Sequence, residues 1–161
     1  MKRSMPAQKP GRSKQDYGTP REFLDAVERR YGLIGWDLAA TEANKVCASF
    51  YSPAQDSLAQ SWSLPRVRVA WLNPEFANID PWAEKCASVR FLPRWTLLLV
   101  PASIGTGWYR DHVLGKAYVD GIPRLTFVGE TTPYPKDLML AAFGFGVSGH
   151  GQWDWRKEAR P

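Results

Sequence analysis

Apolar residues at Phe23, Leu24, Val27 and Tyr31 recur at helical spacing, which predicts an amphipathic helix with one buried face. Thr19-Pro20-Arg21-Glu22 reads as its start, with Thr19 as the cap, Pro20 in the first turn and Glu22 closing a capping box. Gly32 stops the helix. Residues 33–38 (LIGWDL) follow as a strand ending at Asp37. The pattern loosens over 39–65, where a short strand around 49–51 and a turn of helix near 58–62 are expected. Residues 67–72 (VRVAWL) form the next strand, and Asn73-Pro74 breaks it. Asp80 is expected to cap a helix with Pro81 in its first turn, running to about residue 90 with Trp82, Cys86 and Val89 on its apolar side. The run TLLLV at 96–100 is continuous rather than alternating, the mark of a strand buried on both faces, and Pro101 ends it. A helix over 106–114 with Trp108 inward, and strands over 124–128 and 138–145, complete the pattern. This alternation predicts an α/β sheet with helices on both faces. Such sheets bind ligands at the carboxyl ends of their strands, the edge where Asp37, Asn73 and Pro101 fall.

Length and composition add bounds. The 161 residues suit one domain, and 44% hydrophobic with 23% charged residues is ordinary for a globular core. Residues 1–15, rich in Lys, Arg, Pro, Gly and Ser, read as a disordered basic tail, and residues 16–161 as the folded domain. No apolar run approaches the length of a membrane span, and the start lacks the apolar stretch of a secretory signal. Cys47, Cys86, His112 and His150 are too few for a disulfide framework or a four-ligand zinc site. No metal and no membrane are therefore expected, and a reduced, cytoplasmic setting follows. The two cysteines read as packing residues.

The net charge of +5 has an uneven source. Lys2, Arg3, Lys9, Arg12 and Lys14 occur before any acidic residue, and without them 16 basic residues face 16 acidic ones. The basicity belongs to the tail, which suits a polyanion as well as a solvated arm. Arg66, Arg68, Arg90 and Arg94 flank the strand and helix near Asn73 and read as phosphate contacts or as a solvated face. Of eight Trp residues, Trp36, Trp71, Trp82 and Trp108 sit in predicted elements and read as core, while Trp62, Trp95, Trp153 and Trp155 stand in looser contexts.

The candidate chemistry centres on Asn73-Pro74-Glu75-Phe76. A strand ending in Asn-Pro brings an amide side chain and free carbonyls to the sheet's edge, where they accept hydrogen bonds from an exocyclic amine. Phe76 offers a ring face to a flat heterocycle. The competing interpretation is a plain loop in which Asn73 caps a turn and Phe76 is core. Asp37 alone reads equally as a helix cap or a surface acid.

In order, Tyr17-Gly18-Thr19-Pro20, the run Trp36-Asp37-Leu38-Ala39-Ala40-Thr41-Glu42-Ala43-Asn44, Asp56-Ser57-Leu58 and Asn73–Phe76 resemble the phage-type Dam-like DNA N6-adenine methyltransferases. LLLVPAS at 97–103, Thr106-Gly107-Trp108-Tyr109 and Arg124-Leu125-Thr126-Phe127 extend the likeness over about residues 16–150. The resemblance implies a Rossmann-like sheet binding S-adenosyl-L-methionine at its carboxyl edge, with DNA as partner. It places Tyr17, Thr19 and Pro20 near the methionine end, Asp37, Ala39 and Ala40 in the first cofactor loop, Asp56 on the adenine amine and Leu58 against the ring. Glu42 or Asn44 would meet ribose hydroxyls. Ala39-Ala40-Thr41 stands where the family's Gly-x-Gly is usual. Asn73, Pro74, Glu75 and Phe76 match the catalytic motif Asn/Asp-Pro-Pro-Tyr/Phe, with Glu75 in place of the second Pro. That departure leaves three outcomes: intact activity, an altered base preference, or a catalytically weak cofactor- or nucleic-acid-binding protein. By the mechanism the resemblance implies, the Asn73 side-chain oxygen and the Pro74 carbonyl hold the two amine hydrogens, and the target base leaves the duplex stack. Methylation of another amine is a third option. Residues 102–136 are the stretch expected to read the target, with Lys136-Asp137 as a DNA contact, and the protein is expected as a monomer or homodimer.

Overall fold

The computed structural model describes residues 17–158, so the expected tail lies outside the described residues. A single mixed sheet of six strands runs in the order β1-β2-β3-β5-β4-β6. These are β1 (Ile34–Asp37), β2 (Val69–Leu72), β3 (Trp95–Pro101), β4 (Tyr118–Ile122), β5 (Leu138–Phe143) and β6 (Gly149–Gln152). β1, β2 and β3 pair in parallel, as do β4 and β6, and β5 runs antiparallel between β3 and β4. The side chains of β3 explain its unbroken apolar run. Leu97 and Leu99 pack on one face with helix α1 (Arg21–Tyr31), through Phe23, Leu24 and Val27. Leu98 and Val100 pack on the other with Ala83 and Cys86 of helix α2 (Asp80–Ser88) and with Tyr109 and Val113 of a π-helical turn. Helices thus cover both faces, and a short terminal helix α3 (Trp155–Glu158) joins the α1 side through Trp155.

Several expectations need correction. Thr19 does not cap α1: Pro20 holds the N-cap position, and its carbonyl accepts from the N–H groups of Phe23 and Leu24. The Thr19 hydroxyl is engaged by Asn73 instead. Asp80 is the first residue of α2 rather than its cap, which is Ile79, and the helix ends at Ser88. Residues 124–128 are not a strand. Only Val128 pairs there, with Gly18, while Leu125 and Phe127 turn into the core. The strand lies at β4, disguised by Asp120 and Gly121. Asp120 is buried, and its carboxylate pairs with Arg30 of α1 at 3.1 Å.

β6 and α3 were equally hidden. The glycines of β6 have a steric reason, since a Cβ on Gly151 would sit 2.7 Å from the Tyr118 hydroxyl oxygen. The tryptophans also sort differently from expectation. Trp62, Trp153 and Trp155 join Trp71 in the buried core, whereas Trp36, Trp82 and Trp108 are only half-buried and Tyr109 takes the inward place. Both cysteines are free thiols; Cys86 is fully buried and Cys47 partly.

Candidate functional site

The carboxyl edge of β1 and β2 holds a cavity of about 310 Å³, within the range of small-ligand sites. Three segments wall it: the loop after β1 (Ala39, Ala40, Thr41, Asn44), the segment from Tyr51 to Leu58, and the exit of β2 with Asn73, Glu75 and Asn78. Trp82 of α2 completes the lining. Of the residues expected at a site, Ala39, Asp56, Leu58, Asn73 and Glu75 line this cavity together, as does Asn44. Tyr17, Thr19, Pro20, Asp37, Pro74, Phe76 and Glu42 are not among its walls.

Asp37 works from beneath. The residue is 2% exposed, and its two side-chain oxygens accept from the Ala39 N–H at 3.2 Å and the Val46 N–H at 3.1 Å. It clamps the loop that forms the first wall. The Asp37 backbone also ties that loop to residues 49–51, accepting from Tyr51 and donating to Ser49. The expected strand there is a single bridge at Phe50. Neither Ala39 nor Ala40 adopts a positive φ, so this loop makes no conformational demand for glycine. Asn44 accepts from the Thr41 N–H at 2.6 Å, closing the loop's turn, and exposed Glu42 pairs with Lys45.

Burial pushes the Asp37 carboxyl up to about 6, against the two backbone N–H groups that favour its charged form. A carboxyl raised on folding contributes stability that is full below its ordinary pKa and is lost as pH rises through the folded value. Asp37→Asn is therefore expected to gain on the wild type between about pH 4 and pH 7, by on the order of 2 kcal/mol. Urea unfolding at the two pH values reads this, and parallel stabilities would refute it.

The second wall is pinned from α2. Lys85 Nζ donates to the carbonyl of Leu58 at 2.7 Å, and also to those of Ser57 and Gln60. The Trp62 indole N–H donates to the Ser57 carbonyl at 3.0 Å. Between two short 3-10 turns Asp56 takes a left-handed conformation, φ 48°, that sets this exposed acid at the cavity beside half-buried Leu58. Lys85 was not legible as a site residue, since nothing in the sequence pairs it with residues 57–60. Trp62 and Trp82 stack at 6.4 Å, so Trp82 stands at the cavity wall with a partner behind it.

Asn73 leaves the end of β2 half-buried. Its Nδ2 donates to the Tyr17 carbonyl and to the Thr19 hydroxyl oxygen, each at 3.2 Å. Among the described residues nothing donates to Asn73 Oδ1 or to the Pro74 carbonyl. Phe76 turns away from the cavity's lining into an aromatic group: Tyr134 at 5.3 Å, Tyr17 at 6.1 Å and Phe127 at 6.3 Å between ring centres. Phe127 and Tyr134 fall within the stretch expected to read the target, but their packing on Phe76 was not legible, because the connection between β4 and β5 is remote from it in sequence. Of the stretch expected to read a target, residues 109–122 belong to the π-helical turn, its exit and β4. Outside the helical residues and β4, 102–106 and 123–137 remain on the carboxyl edge. Exposed Lys136 and Asp137 lie in the second, where Asp137 pairs with Arg124 at 3.3 Å.

The arginines expected beside the site are elsewhere. Arg66 and Arg68 precede β2, and Arg90 and Arg94 precede β3, so all four sit at the amino edge of the sheet, opposite the cavity. Among the described residues no group of acidic, histidine or cysteine side chains is arranged to hold a metal ion, and no helix is long and apolar enough to cross a membrane.

Comparisons with known proteins converge on one family. The model of the family "DNA N-6-adenine-methyltransferase (Dam)" matches residues 7–138. A DNA N-6-adenine-methyltransferase of Escherichia phage T1 is 34% identical over 95 residues, which cover 59% of this chain and 39% of that relative. The match thus spans well under half of the relative's length. No solved structure matches the chain significantly.

Proposed function

The chain belongs to the DNA N-6-adenine-methyltransferase (Dam) family, and from that premise we propose that it methylates the exocyclic N6 amine of adenine in DNA, using S-adenosyl-L-methionine on a Rossmann-like sheet. The observation that carries the reading is the Asn73 amide. With both Nδ2 hydrogens committed to Tyr17 and Thr19, Oδ1 is left as an acceptor on a residue that lines a ligand-sized cavity.

The cavity's donor set fits the cofactor. Asp56 supplies a carboxylate for an adenine amine, Leu58 and Trp82 supply apolar surface for a flat ring, and Ala39 and Ala40 keep the first loop small. Asp56 and Glu75 give the lining an acidic character that suits a cationic ligand. When bound, S-adenosyl-L-methionine supplies the methyl group. The chain's own residues then do the rest. The Asn73 Oδ1 and the Pro74 carbonyl accept hydrogen bonds from the amine's two N–H groups, which draws the nitrogen's lone pair out of ring conjugation and orients it. One of those hydrogens leaves as a proton to solvent once the nitrogen is methylated. The aromatic group around Phe76 offers ring surface to a base that has left the stack. Glu75 is exposed, and with it in place Asn73 still makes both of its hydrogen bonds, which favours activity over a silent binding module.

The test incubates the protein with unmethylated duplex and single-stranded DNA and labelled cofactor, then resolves the nucleosides. N6-methyladenine supports the reading, N4-methylcytosine redirects it, and the absence of any methylated base rejects it.

The DNA partner would be held in part by the basic residues that precede Tyr17. The Tyr17 carbonyl is bonded to Asn73, so the chain carrying Lys2, Arg3, Lys9, Arg12 and Lys14 joins the fold at the catalytic edge. Replacing all five by Gln is expected to weaken DNA binding and to make it less sensitive to salt. The slope of log affinity against log salt should fall by about 0.9 for every phosphate that is no longer neutralised. S-adenosylhomocysteine affinity should not move. Fluorescence anisotropy over a salt series reads the slope, and an unchanged slope would remove the segment from the interface.

A further inference from the structure

We infer that Thr19, together with the Tyr17 carbonyl, is a positioning residue that fixes which end of the Asn73 amide faces the base, and that this chain accepts asparagine but not aspartate at position 73. The inference rests on the methyl-transfer reading above and extends it.

A primary amide has two nearly isosteric ends, one donating and one accepting, so packing alone does not choose between them. Hydrogen-bond partners choose. A backbone carbonyl only accepts, so the Tyr17 carbonyl at 3.2 Å requires the Nδ2 end. Thr19 is buried, 7% exposed as a residue, and its Oγ1 takes the other Nδ2 hydrogen, also at 3.2 Å. The opposite amide orientation would set Oδ1 against a carbonyl oxygen and turn two donors toward the amine of the substrate, which needs acceptors.

The segment 17–20 is braced for this task on three sides. The Pro20 carbonyl holds the first turn of α1. The Gly18 carbonyl accepts from the Val128 N–H at 2.9 Å, and a Cβ on Gly18 would come within 3.0 Å of the Val128 Cβ. The Tyr17 ring packs against Phe127 at 4.8 Å. Thr19 lines no part of the cavity, so its position fits orientation of Asn73 better than contact with the methionine end of a cofactor.

The same geometry discriminates against a carboxylate. Aspartate at 73 has no N–H for the Tyr17 carbonyl and would place one oxygen against another. A Thr19 hydroxyl can turn to donate, but a backbone carbonyl cannot. The family motif written Asn/Asp at this position is therefore restricted to Asn in this chain.

The experiment compares Thr19→Val, Thr19→Ser and Asn73→Asp with the wild type. Thr19→Val is expected to lower kcat about tenfold, the worth of one hydrogen bond. Its KM for DNA and its S-adenosylhomocysteine affinity should stay at wild-type values, and Thr19→Ser should restore the rate. Asn73→Asp is expected to lower kcat by about a hundredfold or more. In the wild type the ¹⁵N-labelled Asn73 side-chain amide protons should be protected from solvent exchange, and in Thr19→Val one should lose that protection. A Thr19→Val enzyme at full rate, or one whose only defect is weaker S-adenosylhomocysteine binding, overturns the inference, as does an active Asn73→Asp enzyme. If the wild type methylates no DNA, the methyl-transfer reading falls and the catalytic half of this inference with it. The amide exchange then decides the orientation by itself, since it needs no turnover.

Discussion

Asn73→Ala is expected to lower kcat for adenine methylation by about 10²–10³, while S-adenosylhomocysteine still binds. On the proposed mechanism the variant removes one of two acceptors for the amine and leaves the Pro74 carbonyl alone. Two walls of the cavity do not depend on Asn73: one is clamped by Asp37, the other by Lys85 and Trp62. Cofactor affinity and catalysis should therefore separate. The measurement is single-turnover methylation at saturating cofactor beside a calorimetric titration with S-adenosylhomocysteine. A variant with wild-type turnover would show that the amine is held elsewhere. A variant that no longer binds S-adenosylhomocysteine would move Asn73 from the base to the cofactor.

Phe23→Ala should be the most damaging change away from the cavity, costing about 3–5 kcal/mol of folding stability. Phe23 is fully buried and meets three indoles, Trp155 at 5.4 Å, Trp153 at 6.0 Å and Trp71 at 6.2 Å between ring centres. Those three come from α3, the segment after β6 and β2, so a cavity there loosens α1 from the sheet and from the terminal segment together. The segment 17–20 that braces Asn73 leads directly into α1, and activity should fall at temperatures where the fold still persists. Denaturant midpoints and thermal inactivation of the same preparation read both effects. A loss below about 1 kcal/mol would mean that the surrounding indoles collapse into the space.

The parts of the fold with one strong local signal were legible in the sequence. The helical periodicity of Phe23 to Tyr31 gave α1, and the apolar run at 96–100 gave β3 as a strand covered on both faces. What misled were residues whose local preference is overruled by a distant partner. Asp120 reads as a strand breaker until Arg30 is seen beside it, and Gly151 does until the Tyr118 hydroxyl is. Thr19 has the chemistry of a cap, but Asn73 claims its hydroxyl across the fold. At the site, sequence order brought Ala39, Asp56, Leu58, Asn73 and Glu75 to one cavity. It could not show that Asp37 serves the loop from below, or that Lys85 holds the second wall. Nor could it show that the four arginines point from the opposite edge, because proximity in sequence to Asn73 is not proximity across a strand.

The reversed direction of β5 has a consequence of its own. Because β4 and β5 are antiparallel neighbours, residues 123–137 begin and end at the same edge of the sheet, and the pair Ile122↔Leu138 closes their base. A connection tethered in this way can change length at its exposed tip around Thr131 and Thr132 without shifting any strand register, while Leu125, Phe127 and Val128 are held by the core and by Gly18. Its Phe127 and Tyr134 pack on Phe76, while Thr131 and Thr132 stand in solvent. The molecule thus joins an anchored base and a solvent-facing tip in one connection, and the tip can vary while the strands and the Asn73 turn keep their places.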